Sequence, residues 1–208
     1  MMSGWTESLV HPGSSSGVHR VNEQLLEDVL PAAQAGQAWA LRAVYEQLAP
    51  RVQSYLKIRG AAEPEDLTSE VFLTVFAKLP TLTGGATGLR TFTFSVAHAR
   101  LVDDLRKRGR REPPATYETA TDRRTSASSE DEAIQSLQTE RVRRLLDGLV
   151  PDQRSVLTLR VLGDLTVEQV AAAVGKSTGA VKQLQRRGLL ALRRELETQA
   201  DGVEGVTL

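Results

Sequence analysis

The sequence predicts an all-α protein, made of two small helical domains joined by a flexible polar linker. Three observations favour this fold class. Apolar residues recur at helical spacing in both halves of the 208-residue chain, and no convincing alternating strand is found. Only 4% of the residues are aromatic, so a core must be built mainly from Leu, Val and Ala, which favours helices. The stretch from Gly109 to Ala133 is rich in Ser, Thr and paired prolines, and it carries too little apolar area to fold alone.

Shifts in composition divide the chain into five segments. We expect a disordered leader at residues 1–20, because this part is rich in Gly, Ser and Pro and lacks the features of a signal peptide. The first helical domain is predicted over 21–111, the linker over 112–133, the second helical domain over 134–197 and a tail over 198–208. No apolar run approaches the roughly 20 residues of a membrane span. We therefore expect no membrane insertion and a cytoplasmic location, which the absence of cysteine also fits.

The second helical domain contains the strongest local signals. Pro151 suits the first position of a helix and Gly163 suits its end. Thr166 and Gln169 form a capping-box pattern at the start of the next helix. Gly175 can take the left-handed conformation of a tight turn. The pattern predicts a helix-turn-helix.

The last helix of this motif is predicted to begin after a Ser177 cap, with Val181 and Leu184 facing inward. Gln and Arg can bond base edges in a major groove, while Lys and Arg bond phosphates. The candidate DNA-binding residues of this helix are Ser177, Thr178, Gly179, Lys182, Gln183, Arg186 and Arg187.

The same turn contains GKST, which raises the alternative of a phosphate-binding loop. That motif needs Gly at the first of its eight positions, where Val170 stands, and a strand before the loop. The preceding residues have helical spacing instead. We interpret GKST as a turn and a helix cap.

In the first helical domain, the segment from Glu65 to Leu79 is an unusually apolar helix with an acidic start. Its apolar residues cover well over half of the circumference, whereas a surface helix needs one stripe. The excess must be buried by several neighbouring helices or by a partner protein. Both interpretations stay open, with the core interpretation slightly favoured.

A Gly-containing loop is predicted from Pro80 to Arg90, followed by a long helix from Thr91 to Arg111 that ends in a dense run of cations. Phe94, Ala97 and Leu101 are expected to face inward. Aromatic residues and a flexible loop beside a basic helix suit single-stranded DNA, whose unstacked bases need pockets and whose backbone needs cations.

The formal net charge is zero, but the cations are concentrated in two zones. Seven lie between Arg90 and Arg111 against two acids, and six lie between Gly175 and Arg194 with no acid. This distribution favours two localised anionic contacts, and the alternative is a pair of solvated helix faces.

Taken in order, these motifs resemble the extracytoplasmic-function (ECF) group of the bacterial sigma-70 family, over about residues 36–111 and 134–196. "PEDLTSEVFLTVFAKL" resembles the part of region 2 that docks on the largest polymerase subunit. "LRTFTFSVAHARLVDDLRKR" looks like the helix that reads the −10 element, with the loop before it holding an unstacked base. "LDGLVPDQRSVLTLRVLGDLTVEQVAAAVGKSTGAVKQLQRR" is similar to region 4, whose last helix reads the −35 element.

The resemblance implies an alternative sigma factor that directs promoter recognition, DNA melting and transcription initiation. It implies core RNA polymerase (its largest and second-largest subunits), duplex and single-stranded promoter DNA and an anti-sigma factor as partners, with no metal or other cofactor. The polymerase-binding candidates are Asp66, Glu70, Leu73 and Phe76. The −10 candidates are Thr83, Arg90, Thr93, His98, Asp103, Arg106 and Lys107, and the candidates of the last helix are assigned to the −35 element.

Three other functions remain as alternatives. A stand-alone helix-turn-helix regulator usually dimerises to match palindromic half-sites, and we see no clear dimer helix. An adaptor that uses the apolar helix overlaps with the sigma interpretation. An enzyme is disfavoured, because His98 is the one histidine outside the leader and its spacing from Asp103 points the two side chains in different directions. We predict no catalytic residues.

Overall fold

A computed structural model describes residues 22–111 and 130–204 of the chain. Within these ranges it contains α-helices and one 3-10 turn and no strand, so the predicted all-α class is confirmed. The helices are α1 (Glu23–Gln34), α2 (Ala38–Ile58), α3 (Pro64–Lys78), α4 (Gly85–Arg111), α5 (Glu130–Asp147), α6 (Pro151–Val161), α7 (Val167–Val174) and α8 (Thr178–Glu204), with the 3-10 turn at Leu79–Thr81. The predicted leader, most of the predicted linker and the end of the tail lie outside the described residues.

Helices α1 to α4 form the first unit, in which α1 packs on α2 and α3 packs on α4. Its core is aliphatic with few rings, as the composition predicts, and Tyr55 meets Phe94 edge to face with ring centroids 6.0 Å apart. Full burial of one such large apolar side chain stabilises the fold by about 2 kcal/mol. The fully buried residues of this unit include Leu26, Val44, Leu48, Val52, Tyr55, Leu56, Val71, Val75, Leu79, Leu89, Phe94, Ala97 and Leu101.

Helix α4 begins six residues earlier than predicted, so the predicted loop from Pro80 to Arg90 is wrong over most of its length. The cause is a cap supplied by another helix. Oε1 of Glu27 in α1 accepts a hydrogen bond from the Ala86 backbone N–H at 2.8 Å. The carboxylate thereby lies at the positive end of the helix. Gly84 and Gly85, with φ of +92° and +64°, turn the chain into the helix.

Helices α5 to α8 form the second unit, in which α6 packs on α8. The predicted capping box of α7 is confirmed, because Thr166 and Gln169 each accept from the other's backbone N–H. Gly175 ends α7 with a φ of +66°, as predicted. These local signals are sufficient to define the helix-turn-helix.

The glycine at the end of α6, Gly163, has a different role from the predicted one. The left-handed residue of this turn is Asp164, with a φ of +51°. Gly163 is required for a different reason, since a Cβ there would lie 2.7 Å from the Leu159 carbonyl oxygen and 3.2 Å from Cδ1 of Phe94 in α4. Gly163 therefore allows close packing, both within α6 and against the first unit.

The two units pack directly against each other. One continuous buried cluster contains Leu101 of the first unit together with Leu159 and Leu165 of the second. The guanidinium of Arg59 donates to Ser155 Oγ at 2.9 Å, and Arg90 pairs with Asp164 at 3.5 Å. Although the sequence separates into two helical blocks, their cores are joined in this structure.

Candidate nucleic-acid interface

The N-terminal half of α8 presents a polar and cationic surface. Ser177 caps the helix by accepting from the Ala180 backbone N–H at 3.2 Å. All seven residues predicted for this surface are exposed: Ser177, Thr178, Gly179, Lys182, Gln183, Arg186 and Arg187. A Cβ on Gly179 would meet nothing within 4 Å, so the first turn is open to a close approach by another molecule.

The opposite side of α8 holds this surface in place. Val181 is fully buried against the core. Gly188 allows a close contact with α6, since a Cβ there would lie 2.8 Å from Cδ1 of Leu157. Sequence reasoning missed Gly188 because a glycine inside a helix gives no local sign of the helix that it faces.

The described part of the protein holds none of the three cations of this surface in a salt bridge. Among the described residues, no acidic side chain forms a salt bridge with Lys182, Arg186 or Arg187. Lys176, by contrast, pairs with Asp152 at 2.8 Å. The helix N-terminus adds partial positive charge to the exposed cations, which makes this end of α8 suitable for a polyanion.

Helix α3 presents a second surface of different chemistry. Asp66, Glu70 and Leu73 follow helical spacing and are all exposed, and Leu73 is 72% exposed. The other large apolar residues of the helix turn inward: Val71 and Phe72 are buried, and Phe76 is half-buried with its ring 5.6 Å from that of Phe72. Most of the apolar excess is therefore core, and Leu73 stays exposed to solvent. Asp66, Glu70 and Leu73 are called the α3 patch below.

The residues predicted to contact the −10 element divide into two groups. Thr83, Asp103, Arg106 and Lys107 are exposed. Arg90 and Thr93 are buried and His98 is half-buried, so these three candidates are not on the exposed surface of the structure.

Each of the three covered side chains has a partner within the protein. Thr93 is 0% exposed, and its hydroxyl donates to the Leu89 carbonyl at 2.8 Å. Arg90 is 8% exposed and lies 3.5 Å from both Glu23 and Asp164. This burial could not be predicted from the sequence, because Glu23 and Asp164 are distant from Arg90 in the chain.

His98 lies 2.9 Å from the hydroxyl oxygen of Tyr55, measured at Nδ1. Burial, and secondarily the nearby charge of Arg59, lowers the pKa of His98 to about 4 against the opposing effect of Asp152. The imidazole is thus neutral at pH 7 and supplies no positive charge to a phosphate.

Some of the cations at the end of α4 bind partners within the protein. Arg108 donates to the Gly60 carbonyl at 2.6 Å and pairs with Asp104 at 3.0 Å. Arg106 and Lys107 remain exposed, with Arg106 lying 3.9 Å from Asp103. Arg110 is exposed as well, so exposed cations are left for an external anion on this part of the helix.

In the described ranges there is no cluster of three side chains suited to hold a metal ion. No helix among these residues is long and apolar enough to cross a membrane.

These surfaces define an all-α protein with a helix-turn-helix whose second helix is exposed and cationic. The sequence matches two family profiles, Sigma-70 region 2 over residues 44–111 and Sigma-70, region 4 over residues 145–194. The chain is 34% identical over 212 residues to the ECF RNA polymerase sigma factor SigD of Mycobacterium tuberculosis, covering 93% of this chain and 99% of that one. It is 31% identical over 175 residues to the ECF RNA polymerase sigma factor BldN of Streptomyces coelicolor, covering 83% of this chain and 66% of that one.

Two solved structures share the fold. CnrH, in complex with the cytosolic domain of CnrY, matches with a TM-score of 0.60 and 17% identity over 84% of this chain and 98% of that one. The sigma factor RpoE, in complex with the anti-sigma factor NepR from Bartonella quintana, matches with a TM-score of 0.59 and 20% identity over 75% and 96%. The chain belongs to the ECF group of the sigma-70 family, and it is an alternative sigma factor.

Proposed function

We propose that this chain binds core RNA polymerase through the α3 patch and directs it to promoters whose −35 element is read by the N-terminal half of α8. The exposed part of α4, with Thr83 in the preceding loop, contacts the −10 element as its strands separate. The protein acts as a specificity subunit in the cytoplasm, with catalysis supplied by the polymerase.

The observation that carries this proposal is the pairing of two surfaces with different chemistry in one chain. Seven exposed polar and cationic residues on one helix end suit duplex DNA, because short side chains permit close approach and Gln or Arg can bond base edges. An acidic patch around an exposed leucine is unsuited to DNA and suits a protein partner. Membership of the sigma-70 family supports core RNA polymerase as that partner.

An anti-sigma protein is a further proposed partner. The structure of RpoE that shares this fold contains the anti-sigma factor NepR, and the structure of CnrH contains the cytosolic domain of CnrY. An inhibitor that covers the α3 patch would prevent polymerase binding without altering the fold.

The polymerase surface is tested by Leu73→Asp, measured by co-elution of the chain with core polymerase in gel filtration. We expect binding to weaken at least tenfold, because a charge replaces the apolar centre of the patch. Leu137→Asp is the matched control, since Leu137 is also an exposed helical leucine and lies on α5. Equal binding by both variants and the wild type would place the polymerase surface elsewhere.

A further inference from the structure

Helix α1 holds the stretch of chain that leads into α4 at three places. This stretch, from Leu79 to Arg90, is called the entry segment below. Glu23, Glu27 and Gln34 are spaced four and seven residues apart, so their side chains lie on one side of α1. All three reach the entry segment. The Sigma-70 region 2 profile begins at residue 44, so α1 lies ahead of the part of the chain that this profile matches.

Gln34 fixes the beginning of the entry segment. Its Nε2 donates to the Leu79 carbonyl at 3.2 Å and to the Leu82 carbonyl at 2.8 Å. Both hydrogens of one side-chain amide are thereby used on the backbone of a single turn. Leu82 directly precedes Thr83, the loop residue proposed to contact the −10 element, so the chain is held just before that residue.

Glu27 fixes the entry segment on the other side of Thr83. Its Oε1 accepts from the Ala86 backbone N–H at 2.8 Å. A Cβ on Gly85 would lie 2.5 Å from Oε1 and 3.0 Å from Oε2 of this carboxylate. The cap therefore requires a glycine at position 85, in addition to the left-handed backbone there.

Glu23 holds the first turn of α4. Its Oε1 accepts from the Thr87 hydroxyl at 2.6 Å and lies 3.5 Å from Nη2 of Arg90. The side chain of Glu23 is 48% exposed, so the ion pair adds little stability. Its effect is to orient the turn in relation to α1.

Thr83 lies exposed between the two points that Gln34 and Glu27 hold. Gly84 and Gly85 follow it, with φ of +92° and +64°. Adjacent glycines leave a chain free to take many conformations unless other contacts restrict it. A segment that is already restricted loses less conformational entropy when it binds, so the contacts with α1 lower the cost of binding an unstacked base.

We propose that α1 is a positioning element for −10 recognition, in which Glu27 and Gln34 fix the backbone on both sides of Thr83 and Glu23 orients the first turn of α4. This inference rests on the proposed function, in which Thr83 and α4 contact the −10 element. The three side chains act through the entry segment and are positioning residues. Their loss lowers discrimination among −10 bases and leaves −35 discrimination unchanged.

Two substitutions at Glu27 separate the hydrogen bond from the charge. Glu27→Gln keeps an oxygen that can accept from the Ala86 N–H, whereas Glu27→Ala removes the acceptor. Gln34→Met keeps the length of the side chain and removes both donors. Asp28→Ala is the matched control, because it removes a carboxylate from an exposed position of the same helix, where Asp28 accepts from Gln24 of α1 at 2.9 Å.

Hydrogen exchange in the free full-length chain, followed by NMR, measures how firmly the segment is held. The Ala86 amide is expected to exchange about tenfold faster in Glu27→Ala than in the wild type, because a hydrogen bond to a charged group is lost. Glu27→Gln and Asp28→Ala should stay close to the wild-type rate. An Ala86 amide that exchanges equally fast in the wild type and Glu27→Ala would overturn the proposal.

The functional measurement uses run-off transcription by core polymerase with each full-length variant. The templates are two promoter libraries, one with randomised −10 bases and one with randomised −35 bases. Glu27→Ala and Gln34→Met are expected to lose about fivefold or more of the discrimination at one −10 position, the low end of what one base contact supplies. Discrimination at −35 should stay at the wild-type level, and Glu27→Gln should retain most of the −10 discrimination.

Three outcomes would overturn the proposal. In the first, Glu27→Ala and Gln34→Met match Asp28→Ala at every −10 position. In the second, discrimination falls equally at −10 and −35, which assigns α1 a general role in stability. In the third, the wild type gives no chain-dependent transcripts, which rejects the proposed function as well. Wild-type transcripts with equal discrimination by all variants would reject this inference alone.

Discussion

The hydroxyl oxygen of Tyr55 lies 2.9 Å from Nδ1 of His98, at the place where the first unit meets the second. Tyr55 is fully buried, and burial raises the pKa of its hydroxyl well above the usual value. His98 is kept neutral by burial and by Arg59. The pair is therefore an uncharged hydrogen bond, and protonation of the imidazole would place a charge beside an existing cation.

This pair makes stability depend on pH. In the unfolded chain His98 binds its proton near the usual pKa of 6.5, whereas in the folded chain the pKa is about 4. Between these values the unfolded state binds more protons, so the free energy of unfolding falls as the pH drops from 6.5 to 4. The shift corresponds to about 3 kcal/mol at most.

His98→Gln should remove this dependence, because the amide can still accept from Tyr55 but does not titrate. We expect the wild type to lose stability between pH 7 and pH 5 more steeply than the variant, measured by urea unfolding at each pH. Parallel curves for the two proteins would contradict the assigned pKa.

Adding one methyl group at Gly88, near the start of α4, should destabilise the fold. A Cβ on Gly88 would lie 2.2 Å from the Thr83 carbonyl oxygen, so Gly88→Ala must displace the turn. We expect a loss of about 1–3 kcal/mol, the usual cost of overpacking, measured by thermal unfolding.

Gly109→Ala on the same helix is the control for this substitution. A Cβ on Gly109 would meet nothing within 4 Å, so alanine should stabilise the helix by about 0.5–1 kcal/mol. If both variants melt at the same temperature, the close approach at Gly88 is not a structural constraint.

Lys182 is expected to contact phosphate, because it is an exposed cation about one turn into α8. Lys182→Ala should weaken holoenzyme binding on all promoters alike and reduce the slope of log affinity against log salt by about 1. Arg194→Ala, an exposed cation farther along α8, should leave that slope unchanged.

Gln183 is expected to bond a base edge. Gln183→Ala should therefore relax discrimination at one position of the −35 element by about 1–3 kcal/mol, with little effect at its neighbours. Affinities for a set of single-base variants of one promoter check this. Uniform weakening across the set would assign Gln183 to the phosphates instead.

The helix-turn-helix could be predicted from the sequence because its determinants are local. The Thr166–Gln169 box lies within four residues, and the left-handed Gly175 needs no distant partner. The α8 surface followed from these boundaries.

The contacts of α4 with distant residues could not be predicted in the same way. Helical spacing correctly placed Phe94 and Leu101 in the core. It could not reveal that Asp164 would reach Arg90, or that Glu27 would cap α4 at Ala86. Both contacts join residues far apart in the chain, so they exist only after the helices have packed.

Run-off transcription tests the proposed function most directly. Core RNA polymerase is incubated with fragmented genomic DNA, with and without the chain, and the 5′ ends of the transcripts are mapped. The account predicts discrete transcripts only when the chain is present, with start sites that share two upstream elements. Specific binding of the chain to duplex DNA without polymerase, and no chain-dependent transcripts, would contradict it.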